Sequence, residues 1–113
     1  WMSAPSLLKK WQDEVFTFLS KTPAVAGKPL TVVTTTGSEY EAYRSGGRNR
    51  FTTDELLRPY QVNAIHSGMS WQTPIVVYGM GTADAGKNIA GGANLYKQRV
   101  EMLIGNSNAG NNW

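Results

Sequence analysis

The feature that most constrains this chain is a pair of short β-branched runs set among helical patterns. Leu30 to Thr35 is nearly continuous in β-formers, and Ile75 to Tyr78 repeats the type. A continuous apolar run of that length predicts a strand buried on both faces, as in a parallel sheet covered by helices. Pro74 precedes the second run and predicts a strand end or a sheet edge, because proline has no N–H to give to a ladder.

Three helical patterns surround these runs. Leu7, Leu8, Trp11, Val15 and Phe18 recur at helical spacing, with Lys9, Lys10, Asp13 and Glu14 between them. This predicts an amphipathic helix of about four turns covering a sheet face, with Pro5 in its tolerant first turn. Residues 21–29 hold Pro23, Gly27 and Pro29 and read as a loop. Thr52 and Glu55 have capping-box spacing, and a helix follows through Leu56, Leu57, Tyr60, Ala64 and Ile65 to a stop near Gly68. Pro59 inside that pattern predicts a kink or a delayed regular start. A closing helix begins at Asp84 or Lys87 and runs to Ile104, with Leu95, Tyr96, Val100 and Leu103 on its apolar face and Gly105 at its end.

The order helix, strand, helix, strand, helix argues for an α/β parallel sheet with right-handed crossovers. Two strands are too few, because a doubly wound sheet of this kind uses about five. The tally predicts that an amino-terminal part of the fold lies outside this sequence. Residues 1–105 are expected to form one domain and residues 106–113 a polar, flexible tail.

Composition narrows the function classes. The 113 residues are 41% hydrophobic and 17% charged, an ordinary globular balance. No cysteine is present, which excludes disulfides, thiolate metal sites and cysteine nucleophiles and fits a reducing cytoplasm, the expected location. No apolar run reaches about 18 residues and no signal peptide is legible, so no membrane insertion is expected. A net charge of +3 favours anionic ligands such as nucleotide phosphates. No long basic stripe or nucleic-acid motif is present, so nucleic acid is not an expected partner.

Three segments could carry chemistry. Gly81 to Asn88 nearly matches the phosphate loop GxxxxGK[ST], but Asn88 stands where a magnesium-binding hydroxyl belongs, so the plain reading is a loop leading into a helix. Thr34-Thr35-Thr36-Gly37-Ser38 lies at the carboxyl end of a strand, where open α/β sheets bind ligands. Its small residues would let backbone N–H groups approach a planar ring or an anion; a strand end with capping hydroxyls is the equal alternative. Tyr40, Tyr43, Arg44, Arg48, Asn49 and Arg50 suit a stackable, phosphate-bearing ligand, against a solvated loop with its tyrosines packed down. His66, the single histidine, has no metal-spaced partner; no metal site is expected and no role is assigned to it.

Together these segments resemble one family. Trp1 to Phe16 is similar to its W-x-x-x-P-x-x-L-K-x-W-x-D-x-V-F signature. Thr34 to Ser38 with Tyr43 resembles its T-T-G-G/S…Y segment. Arg58-Pro59-Tyr60-Gln61, Gly68-Met69-Ser70-Trp71, Pro74 and Tyr96-Lys97-Gln98-Arg99-Val100 follow in the family's order. On these motifs the chain, to about residue 104, is similar to the carboxy-terminal part of the flavodoxin-like NAD(P)H:quinone oxidoreductases.

The resemblance implies a partial flavodoxin-like sheet and a flavoprotein enzyme. NAD(P)H would reduce bound FMN or FAD, and the flavin would reduce a quinone by two electrons. By position, Trp1, Met2 and Ser3 resemble the stretch along the isoalloxazine. Thr35, Thr36, Gly37 and Ser38 resemble the turn whose backbone donors meet the ring's polar edge. Tyr43 resembles the tyrosine near flavin and substrate, and Asn49 holds the place of a proton-relaying histidine in vertebrate members. Asn49 can hydrogen-bond but cannot take up a proton. Thr17 to Lys21 replaces a longer aromatic loop, and the family's first strand and phosphate-binding loop have no counterpart here. The family's habit implies a homodimer or other homo-oligomer. The alternative is a non-catalytic remnant that serves as an oligomerising or interaction module.

Overall fold

A computed structural model describes residues 2–108. The first helix begins as α1 (Ser6–Trp11), widens to a π-helical stretch (Gln12–Phe16) and closes as α2 (Thr17–Leu19). The expected strand is split into β1 (Pro29–Leu30) and β2 (Val33–Thr35). A 3-10 turn (Tyr40–Tyr43), α3 (Thr53–Leu56) and α4 (Arg58–His66) follow. The chain then forms β3 (Ser70–Trp71), β4 (Ile75–Val77) and α5 (Ala85–Asn108). None of the described helices is long and apolar enough to cross a membrane.

β1 pairs in parallel with β3, and β2 with β4, so residues 29–35 and 70–77 form one interrupted ladder. The register explains the break. Pro29 faces Ser70, an offset of 41, whereas Val33 faces Ile75, an offset of 42. The second strand therefore carries one extra residue between Trp71 and Ile75. Pro74 lies in this bulge, which absorbs a residue that cannot donate to the ladder. The expectation of a strand end at Pro74 is met; the short β3 before it was not foreseen.

The capping box forms as expected. Thr52 Oγ1 accepts from Glu55 N–H at 3.2 Å, and the Thr52 N–H donates to Glu55 Oε1 at 3.1 Å. Pro59 starts α4 in its first turn, so α3 and α4 are separate short helices joined at Leu57. Gly68, at φ 71°, ends α4 in the left-handed region, and Met69 N–H closes it on Ala64 O. Gly105 does not end the last helix, which runs through Asn106 to Asn108.

The core lies between β4, α5 and the segment around Tyr43. Ala42, Tyr43, Ala64, Ile75 and Val77 are its buried apolar residues. Gly92 brings α5 down onto the sheet: a Cβ there would overlap Val77 Cγ2. The first strand is not buried on both faces as expected, since Val33 is 49% exposed. Nor does the first helix cover a sheet face completely, with Leu7 77% and Phe18 69% exposed. The physical reason is shared: no strand pairs with the outer edge of β1 and β2 among the described residues, so their side chains meet no neighbour there.

Candidate functional site

The turn after β2 is held from one side only. Thr36 N–H donates to Val77 O, and the carbonyls of Thr36, Gly37 and Ser38 accept from Met80, Gly81 and Gly79 at 2.8–2.9 Å. Thr36 Oγ1 donates to Ser38 O at 2.8 Å, and the Arg48 guanidinium donates to Ser38 Oγ. Among the described residues nothing accepts from the N–H groups of Gly37 and Ser38. The turn is thus anchored through its carbonyls while two amide donors stay available.

The same turn lies at one end of a cavity of about 850 Å³, a volume in the range of small-molecule sites. Every residue from Pro29 to Gly37 lines it, so it touches side chains of both strand faces and wraps the free edge. Met2, Ser3, Leu8, Trp11 and Phe16 wall it from the amino-terminal segment, and Thr53, Leu56, Leu57 and Tyr60 from α3 and its surroundings. None of its lining residues is charged.

Met2, Ser3, Thr35, Thr36, Gly37 and Tyr43, all singled out in the sequence, therefore meet at one cavity. Ser38 sits beside the cavity, bound to Arg48. Asn49 does not line it; its N–H donates to Ala42 O and its carbonyl accepts from Phe51. Trp1 lies outside the described residues. Thr36 cannot offer its N–H to a ligand while Val77 O holds it.

Tyr43 is buried and forms part of an aromatic cluster. Its ring lies 5.8 Å from that of Tyr78, which meets Tyr40 edge-on at 5.3 Å. Arg44 stands over the Tyr40 ring at 5.3 Å. Tyr78 Oη and Thr53 Oγ1 share a hydrogen bond at 2.6 Å, and burial raises the Tyr78 phenol above its ordinary pKa. The Tyr43 hydroxyl has no hydrogen-bond partner among the described residues.

Tyr78 and the wall from α3 were missed by the sequence reading. Helical spacing marks Leu56, Leu57 and Tyr60 as part of a helix but carries no sign that they wall a cavity. The contact between Tyr78 and Thr53 joins residues 25 apart and had no local signal. The Gly81–Asn88 segment serves structure: Asn88 Nδ2 donates to Tyr78 O at 2.9 Å, and Thr82 Oγ1 to Gly79 O at 2.8 Å. No cluster of metal-binding side chains exists among the described residues.

A family profile described as flavodoxin-like fold matches residues 1–100. The chain belongs to the flavodoxin-like family. General stress protein 14 of Bacillus subtilis is 45% identical over 89 residues, covering 75% of this flavodoxin-like chain and 51% of that protein. General stress protein 14 of Treponema denticola, solved in complex with FMN, superposes with a TM-score of 0.78 at 27% identity, over 91% of this chain and 60% of that one. An NADPH-quinone reductase from P. pentosaceus superposes at 0.70 with 31% identity, over 81% of this chain and 58% of that one. The chain spans about half the length of the curated relatives it matches.

The residues present fit part of a flavin. The uncharged cavity suits a planar ring, and the Gly37 amide, which lines it, suits its polar edge. Among the described residues no cationic side chain lines the cavity to meet a flavin phosphate.

Proposed function

We propose that this chain is the ring-binding part of an FMN-dependent NAD(P)H:quinone oxidoreductase. The observation that carries the reading is the meeting of Met2, Ser3, Gly37 and Tyr43 at one uncharged cavity, beside two unengaged backbone donors. The FMN held by a similarly folded relative and the NADPH-quinone reductase named among the neighbours support it. When bound, FMN would supply a hydride acceptor for NAD(P)H and a two-electron donor to the quinone, which leaves as hydroquinone after taking two protons.

The protein's part is positional and electrostatic. The Gly37 N–H, fixed by the carbonyl bonds of the same turn, would face the ring edge that gains negative charge on reduction. Donors already in place there need no reorganisation as charge develops. Met2, Leu8, Trp11 and Phe16 would keep water from the ring. Tyr43 would offer a hydroxyl from a side chain locked by packing. Among the described residues no charged side chain lines the cavity to shuttle a proton, so quinone protonation would draw on solvent.

The test is quinone reduction by NADPH in the presence of added FMN, with NADPH consumed and hydroquinone formed in equal amounts. Activity should require FMN and should fall at least about tenfold in Gly37→Pro, which removes one donor. FMN-independent activity, or none with flavin bound, would reject the enzyme reading. The rival reading, a non-catalytic interaction module, draws on the exposure of Leu7 and Phe18. It predicts assembly with no redox activity.

A further inference from the structure

We propose, on the reading of this chain as part of an NAD(P)H-dependent flavoprotein, that the loop from Arg44 to Arg50 recognises the adenine and 2′-phosphate of NADPH and so selects it over NADH. Arg44, Arg48 and Arg50 are all exposed. Among the described residues none of the three forms an ion pair with a carboxylate. None of them lines the cavity, so the flavin reading leaves their charge unused. The loop holds these cations in place by bonding to itself. Gly47 N–H donates to Arg44 O at 2.8 Å, Asn49 N–H to Ala42 O at 2.9 Å, and Arg50 N–H to Gly47 O at 3.1 Å. A Cβ at Gly47 would overlap the carbonyls of Glu41 and Ala42, so glycine is needed for the chain to fold back this closely. Arg50 sits at φ 65°, a left-handed conformation uncommon for arginine. Residue 44 is thereby brought back against residues 47–50, and the three guanidinium groups issue from one fold of the chain.

The position and chemistry of the loop point to one kind of anion. Arg48 donates to Ser38 Oγ, and the neighbouring Gly37 lines the cavity, so a cation stands at the cavity rim. A dinucleotide whose nicotinamide lies on the flavin ring must leave the cavity across such a rim. Arg44 stands over the half-exposed Tyr40 ring, its Cζ 5.3 Å from the centroid. A guanidinium offers a plane on which a purine stacks and a fork that grips a phosphate through two bonds. An adenosine that carries a phosphomonoester uses both properties at once. The pyrophosphate is common to NADH and NADPH and would use only the charge. The flavin's own phosphate is the poorer match, because its ribityl chain leaves the central ring, whereas the loop lies beyond the turn that meets the polar edge.

The test is calorimetric titration of the full chain, without flavin, by adenosine 2′,5′-bisphosphate, by 5′-ADP and by inorganic phosphate. The bisphosphate should bind at least about tenfold tighter than 5′-ADP, which carries similar charge without the 2′-phosphate, and the margin should narrow as salt is raised. The double variant Arg44→Ala, Arg48→Ala should weaken bisphosphate binding at least about tenfold with circular dichroism unchanged. Arg58→Ala, an exposed arginine on α4, should change it by less than about twofold. In the quinone assay with FMN, the double variant should raise KM for NADPH at least about tenfold and leave kcat and the KM for NADH within about twofold. Calorimetric preference without redox activity would uphold this site and reject the flavin reading. Equal binding of bisphosphate and 5′-ADP, inorganic phosphate bound as tightly as the bisphosphate, no effect of the double variant, or an advantage of FMN over riboflavin that the double variant abolishes would each overturn the proposal.

Discussion

Along the outer edge of β3 and β4, Pro74 has no N–H, Arg99 Nη1 donates to Thr73 O at 2.7 Å, and Asn88 Nδ2 donates to Tyr78 O. Along the outer edge of β1 and β2, the donors and acceptors of Thr31, Val33 and Thr35 face a cavity. The first edge carries features that natural sheets use to discourage further pairing. The second also begins with a proline, Pro29, and Thr34 Oγ1 reaches Thr35 O at 3.5 Å, but no strand or distant side chain bonds to it among the described residues. α5 packs on β4 through Gly92, and Ile75 and Val77 are buried there. Burial is thus concentrated on the β4 side, and the cavity lies on the other.

The register pair Val33 and Ile75 offers the sharpest way to break this comparison. Ile75 is 4% exposed, and Ile75→Ala should cost about 2–5 kcal/mol in urea unfolding. Val33→Ala, at a half-exposed position in the same ladder, should cost about 1 kcal/mol or less. Equal costs would mean the two sides are packed alike. Gly92→Val should cost about 1–3 kcal/mol by thermal unfolding, since the new side chain overlaps Val77. Gly91→Ala, with open space around it, should be neutral or stabilise by up to about 1 kcal/mol.

Thr52→Ala asks whether α3, a wall of the open cavity, is supported locally; its loss should cost about 1 kcal/mol. The Thr52 backbone N–H, then its hydroxyl, lower the Glu55 pKa. A lowered folded pKa contributes stability above the unfolded carboxylate range, lost as pH falls through the folded value. Thr52→Ala removes the hydroxyl but keeps the backbone N–H, so it should flatten the acid limb of the stability profile only in part, whereas an unchanged limb in Glu55→Gln would remove Glu55 from it. Arg99→Ala should have the smallest effect, about 0.5–1.5 kcal/mol in urea unfolding, because Thr73 O turns to water.

The alternation of helices and strands was legible because continuous β-branched runs and helical spacing are local signals. The Thr52–Glu55 cap and the stop at Gly68 were legible for the same reason. The split strand was not. It arises from one extra residue between Trp71 and Ile75, a register property that needs both strands in place. Burial of Val33 and of the first helix was overestimated, because a sequence pattern assumes the neighbour it is built to meet. The cavity brought together Met2, Ser3, Gly37 and Tyr43, residues far apart in sequence, whereas the Tyr78–Thr53 contact could be read only from the fold.

The central claim is that the open edge holds a flavin by its ring rather than by its phosphate. The measurement is parallel titration of this chain with riboflavin and with FMN, followed by flavin fluorescence. Both should bind saturably below millimolar concentration, and because no cationic side chain among the described residues lines the cavity, their affinities should lie within about threefold of each other. Failure of both to bind, or a preference for FMN of tenfold or more, would contradict the account.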